Sequence, residues 1–306
     1  MLIRSVLCLS LVLVAACGKD EPQAKPLPKA DPQVRSTVAT LAPADSAVVV
    51  QFASASKFES MIRSMGETFG AETPPDPLAM MFGGTGVDGS KVDPNKPMAL
   101  AASFNKDMPA PSVTWILPFE DAAAASAAHQ GGSRSEGSYA ALTASPEIGE
   151  GGCALADGLL AGDLSIRVDA KKLVGIYREQ IDGALQMFDQ GFQQGLEQAY
   201  GEQGAERMGA TSMSTAMTDS VRTALDSIET MDCVVNYGES GRLDLDIAMQ
   251  VAAGSPLDDA DAAKTDLTAL ATHLHGDFPC VLLFRFDMKG YMDMFGGVMD
   301  GVVQDL

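Results

Sequence analysis

An α+β fold is the class this 306-residue sequence predicts, with duplicated strand–helix modules on a mainly antiparallel sheet and a long helical hairpin inserted. Three observations carry that expectation. A strand-into-helix motif is written twice, as "IRVDAKKLVGIY" at 166–177 and "FRFDMKGYMDMF" at 284–295. Apolar runs of strand length are interspersed with helical stretches, without a strict βαβ period. Residues 169–229 carry apolar side chains at helical rather than alternating spacing.

Taken along the chain, the first module is "VVVQFASASKFESMI" at 48–62, a looser third copy of the motif with Ser54 or Ser56 as helix cap. "KPMALAASF" (96–104), "PSVTWILPF" (111–119) and "EGSYAALTA" (136–144) read as strands. "GGCALADGLLAGDLSIRV" (151–168) reads as a hairpin turning at Asp157-Gly158. In the two clear copies of the motif, Asp169 and Asp287 stand where an N-cap belongs, each carboxylate positioned to accept from the first free helix amides. Capping accounts for these aspartates without a functional role for Arg167 or Arg285.

The inserted hairpin has Ile181, Leu185, Phe188, Phe192, Leu196 and Tyr200 along its first arm. Met213, Met217, Val221, Leu225 and Ile228 line its second arm. Gly191 and Gly195 lie four residues apart in the first arm, where close packing of the partner arm is expected. "MDCVVNYGESGRLDLDIAMQV" (231–251) reads as another strand pair. "GSPLDD" (254–259) opens a helix running to about residue 274, with Ser255 as N-cap and Pro256 at its first position. "LAPADSAVVVQF" (42–53) and "GVDGSKVDPNKPMAL" (86–100) resemble patterns in uncharacterised exported bacterial proteins of repeated strand–helix modules, a likeness that implies a fold and no activity.

At the start of the chain, Arg4 precedes an apolar stretch that stops at "GKDEPQ", too short for the ~20 residues of a bilayer-crossing helix. The residues "LVAAC" at 13–17 resemble the lipobox of bacterial lipoproteins, an apolar and two small residues before an obligatory cysteine. That resemblance implies a signal peptide over 1–16, cleaved before Cys17, which becomes the lipid attachment site and holds the protein to a membrane by its acyl chains. It also implies a cell-envelope location. Gly18 rather than aspartate follows the cysteine, which by the family's sorting rule implies the outer membrane. Residues 17–40, with Pro22, Pro26, Pro28 and Pro32, read as an extended tether. Residues 41–306 then form the α+β domain, with a division into two subdomains expected near 145–160.

A net charge of −20 makes nucleic acid an improbable partner, since an acidic domain repels a phosphate backbone. Cys153, Cys233 and Cys280 remain after Cys8 leaves with the signal and Cys17 is acylated, which suits one disulfide and one thiol in an oxidising compartment. The sequence does not choose the pair.

Catalytic chemistry is thinly represented. "SASK" at 54–57 places Ser54 and Lys57 in the Ser-x-x-Lys order of serine β-lactamases, without those families' second and third motifs, so a hydrolase is the alternative reading only. "GGTGVDGSK" (83–91) inverts the Lys-Ser order of a phosphate loop and follows no strand. His273 and His275 fall short of a four-ligand zinc set, and the 17 methionines follow apolar stripes better than they make a copper site. No catalytic residue, metal or cofactor is therefore assigned. Met80, Met81 and Phe82 in "PLAMMFGGTG" either fold back on the core, the favoured reading, or present an adaptable apolar surface; with Met213 and Met217 of the hairpin they are the candidate ligand or partner surface. The expected function is a lipid-anchored, non-enzymatic binding or scaffold domain for an envelope protein or an apolar ligand.

Overall fold

A computed structural model describes residues 27–69, 82, 86–106, 110–201, 203–204, 210–237, 243–253 and 255. In chain order its elements are α1 (Pro32–Leu41), β1 (Ser46–Phe52), α2 (Ala55–Phe69), β2 (Met98–Ser103), β3 (Ser112–Pro118), α3 (Ala122–Ala128), β4 (Ser133–Glu136) and β5 (Tyr139–Thr143). They continue with β6 (Leu164–Asp169), α4 (Ala170–Ile176), α5 (Arg178–Tyr200), α6 (Ala210–Ser227), β7 (Ile228–Tyr237) and β8 (Leu243–Val251). The α+β class is as the sequence predicts. The chain forms two compact units: the sheet with its short helices, 26–177 and 228–250, and a second unit whose described core is the hairpin Arg178–Ser227. The division expected near 145–160 does not occur, because the strands on either side of it, β1 and β6, are hydrogen-bonded neighbours.

All eight strands lie in one antiparallel sheet, ordered β4-β5-β3-β2-β1-β6-β7-β8. At its centre Val48, Val50 and Phe52 pair with Val168, Ile166 and Leu164. Strand side chains alternate between faces, so each register pair sorts residues onto one side or the other. On one face Val49, Ala99, Ala101, Ile116 and Ala141 meet Val38 and Leu41 of α1 and the segment containing Cys153, Leu155 and Leu159. On the other, Phe52, Met98, Trp115, Leu117 and Leu142 meet Ala55, Phe82, Phe119 and Ala122. This two-sided burial explains why the central strands read as apolar runs rather than alternations.

The tether ends earlier than residue 40. Ala30 donates to the Leu159 carbonyl at 2.9 Å and Ala161 to the Pro28 carbonyl at 2.8 Å. Asp31 then caps α1 by accepting from the Gln33 amide at 2.7 Å, with Pro32 at the first helical position. The prolines that suggested an extended arm thus include one that starts a helix, and Val38 and Leu41 bury its inner side. Asp157-Gly158 closes a 3₁₀ turn, Ala154–Gly158, instead of a hairpin. The tight turn falls at Gly137, whose φ of 58° suits glycine and joins β4 to β5.

In the hairpin unit the two arms are joined by polar contacts. Arg222 Nε donates to Asp182 Oδ1 at 3.1 Å, Arg178 pairs with Asp226, and the fully buried Ser214 hydroxyl donates to Asp189. The close packing expected at Gly191 and Gly195 is not seen among the described residues: a Cβ added at either would meet none of their atoms within 4 Å.

Candidate functional site

The Ser-x-x-Lys pair sits where β1 runs into α2. Ser54, 6% exposed, accepts the Lys57 backbone amide at 3.1 Å and lies 3.1 Å from the Ser56 hydroxyl. It is the cap, of the two serines that could have been. The Lys57 ammonium points elsewhere, to Asp163 Oδ1 at 2.7 Å. Asp163 is held below the usual carboxylate range; burial works against this, and the hydrogen bonds it accepts from Lys57 and from the Tyr237 amide outweigh it. A general base for Ser54 would need its nitrogen on the hydroxyl. Here the lysine is committed to a carboxylate from β6's leading turn, and the hydroxyl to a helix end.

Around the central seam lies a buried polar group that sequence reading passes over. Arg167 on β6 and Asp232 on β7 are register partners, with Nη1 3.0 and 2.8 Å from the two carboxylate oxygens. The same Nη1 donates to the Gly158 carbonyl at 2.9 Å. A Cβ at residue 158 would fall 2.1 Å from the guanidinium carbon, so glycine is required for that approach. Burial raises the Asp232 carboxyl above its ordinary value, with the charge and hydrogen bond of Arg167 pulling the other way. Gln51 and Ser165, also register partners, are buried on the same face. The available signal was a polar residue at an inward register position, Gln51 in "SAVVVQF". Asp169 of the same motif caps α4, accepting from the Lys172 amide at 2.8 Å. Arg167 and Asp169 are therefore structural: one ties the 3₁₀ turn to the sheet, the other starts a helix.

Of the two readings open for Phe82, core and candidate surface, the structure takes the core. Its ring is 2% exposed and meets Trp115 edge-on, with centroids 5.3 Å apart, so this residue folds back on the core. Met80 and Met81 lie outside the described residues, as does the Met213 side chain, while Met217 is half-buried in α6. Exposure falls instead on Met187 (69%), Phe188 (47%) and Tyr200 (60%) of α5, which has no buried residue among those described. Phe188 stacks on Phe192 at 6.1 Å.

In place of a phosphate cradle, residues 89–91 form a 3₁₀ turn whose Ser90 amide is taken by Asp88, which also accepts the Ser90 hydroxyl at 2.6 Å. A carboxylate occupies the position an anion would need. A surface groove of about 410 Å³ is lined by Arg35, Ser36, Thr40, Gly152 and Asp157. Its guanidinium already donates to the Ala30 and Asp157 carbonyls at 3.1 and 3.0 Å. Among the described residues no three His, Cys, Asp or Glu side chains converge as a metal site, and no helix is long and apolar enough to cross a membrane. His273, His275, Asp287 and Cys280 lie outside the described residues. Cys153 and Cys233 are both free, with thiols raised by burial. Cys153 packs on the Val49 face, whereas Cys233 pairs with Ile166 on the opposite one, so the sheet itself separates them. Comparison of the chain with protein-family models, with curated proteins and with solved structures gave no match.

Proposed function

We propose that this chain is a lipid-anchored protein of the bacterial cell envelope, held at the outer membrane through Cys17, whose domain works without catalysis as a binding or scaffold module for an envelope protein or an apolar ligand. The observation that carries the anchor is the residue order "LVAAC" at 13–17 after a basic residue and an apolar run. Two features of the domain support a binding role. Among the described residues, the groups the sequence offered for chemistry are spent on architecture: Ser54 and Asp169 on helix caps, Lys57 on Asp163, and Arg167 on Asp232. Large apolar side chains, Met187, Phe188 and Tyr200, are meanwhile presented on α5.

Metabolic labelling of the full chain with an alkynyl fatty acid tests the anchor. Label and membrane fractionation are expected for the wild type, and both are lost in Cys17→Ser; an unlabelled, soluble wild type refutes the reading. Native mass spectrometry of residues 18–306, before and after organic extraction, then distinguishes the two kinds of occupant. A mass that extraction removes identifies an apolar ligand, and a bare chain directs the search to a protein partner.

A further inference from the structure

Two glycines and two aromatic rings of α5 match one another about a single point of the helix. Glycine inside a helix is less favourable than alanine, so Gly191 and Gly195, four residues apart, need a reason. Phe188 and Phe192 are stacked with centroids 6.1 Å apart, and Phe188 is 47% exposed although rings of this size belong in cores. At 3.6 residues per turn, Ala184, Phe188, Gly191, Phe192, Gly195 and Ala199 fall on one face of α5 about 100° wide. All but the partly buried Phe192 are exposed. None of the charged residues of α5, Arg178, Glu179, Asp182, Asp189 and Glu197, stands on that face. The contacts that Arg222 and Ser214 of α6 make with Asp182 and Asp189 therefore engage a different side of the helix.

This face is complementary to itself when reversed. A two-fold axis crossing α5 between Gly191 and Phe192 sets a second, antiparallel α5 so that Phe188 meets Gly195, Phe192 meets Gly191 and Ala184 meets Ala199. Each ring then enters a notch that a glycine leaves open, as ridges enter grooves in close helix pairs. An isologous contact demands a patch that fits its own copy, and this sequence order meets the demand. Charge favours the same occupant. The chain carries −20, so two copies repel wherever their acids meet, and a face free of charge is where they approach at least cost. An anionic bilayer would find Arg178 as the one cation of α5, and Asp226 already holds it. We propose that α5 is a self-association surface, on which the α5 of a second copy packs antiparallel across Gly191 and Gly195. The inference rests on the binding reading of α5 given above, for which it names the partner, and it is independent of the anchor at Cys17.

Photo-crosslinking in the full chain tests the register. Chains carrying benzoylphenylalanine in place of Phe188 are mixed with heavy-isotope-labelled wild-type chains. Crosslinks that join an unlabelled chain to a labelled one at peptides covering Gly195 are expected. Crosslinks within one chain alone, crosslinks to other peptides of the second copy, or no crosslink would overturn the proposal. Sedimentation equilibrium of the full chain in density-matched detergent supplies an independent reading through two leucines. Gly195→Leu improves the helix and fills the notch, so the dimer should weaken roughly tenfold or more, while Gln190→Leu, an exposed apolar addition off the face, should stay within about twofold of the wild type. A monomeric wild type, or equal effects of the two leucines, would also overturn it. The native mass spectrometry described above reads the binding role separately: a monomer that carries a ligand keeps that role and loses the second copy.

Discussion

Replacing Arg167 with methionine should expose how the sheet tolerates a buried aspartate. The pair is nearly dry, with side chains 15% and 12% exposed and the closest contact 2.8 Å. Removing one member of such a pair strands the other charge, which typically costs 3–5 kcal/mol, and the methionine also forfeits the hydrogen bond to Gly158. The residual exposure of Asp232 places the expected loss at the lower end, about 3 kcal/mol at pH 7. The pH dependence has a definite sign. The folded-state pKa of Asp232 is already raised by burial and rises further once its cation is gone. A carboxyl whose folded pKa lies above its unfolded value binds the proton more readily when folded, so its penalty is full above the folded pKa and is relieved as pH falls through it. The variant's deficit should therefore shrink on acidification below neutrality. Urea unfolding followed by Trp115, the sole tryptophan and a buried residue of the same sheet, reports the transition. Asp232→Asn introduced into the variant should recover a large part of the loss. A deficit below about 1 kcal/mol, one that does not shrink with acid, or an asparagine that rescues nothing would refute the argument.

Two further outcomes follow from the geometry. Phe82→Ala removes a ring that is 2% exposed and edge-on to Trp115, so it should cost about 3 kcal/mol in urea unfolding and shift the Trp115 emission; a silent substitution would return Phe82 to the surface. Asp169→Ala deletes the carboxylate that accepts the Lys172 amide and should cost about 1 kcal/mol, with Asp169→Asn costing a fraction of that; equal losses would mean the cap is not what the carboxylate supplies.

Strand positions were legible because the sheet is covered on both sides. Two-sided burial makes runs such as Met98–Ser103 and Ser112–Pro118 continuously apolar, a pattern that local composition carries. Caps were legible for the same local reason, Asp169 and Ser54 being short-range contacts. Features that depend on a distant partner were not. α1 hides in a proline-rich stretch because Asp31 and Pro32 make sense only if Val38 and Leu41 have a sheet to bury against. α3 is too short and too rich in alanine to show a stripe. Phe82 among glycines leaves core and surface both open until Trp115 of β3 receives it. The Arg167–Asp232 pair joins residues far apart in sequence, and neither carries a mark that separates it from a surface charge. In the hairpin, the apolar stripes correctly indicated two helices but not that Arg222, Arg178 and Ser214 would fasten them.

The seam between β1 and β6 also imposes an order of events on the chain's assembly. Every hydrogen bond across it joins residues separated by more than a hundred positions, among them Val50 with Ile166. Contacts of that span close slowly, because the loop between them must be restrained before the pairing repays it. A chain that crosses a membrane from its N-terminus emerges with β1, β2 and β3 long before β6. Through that interval one side of β1 presents unpaired amides and carbonyls beside Val48 and Val50, the kind of edge that recruits other chains. On the export route proposed above, folding should accordingly be limited by the arrival of the second half, and a holdase that shields β1 would act during that wait.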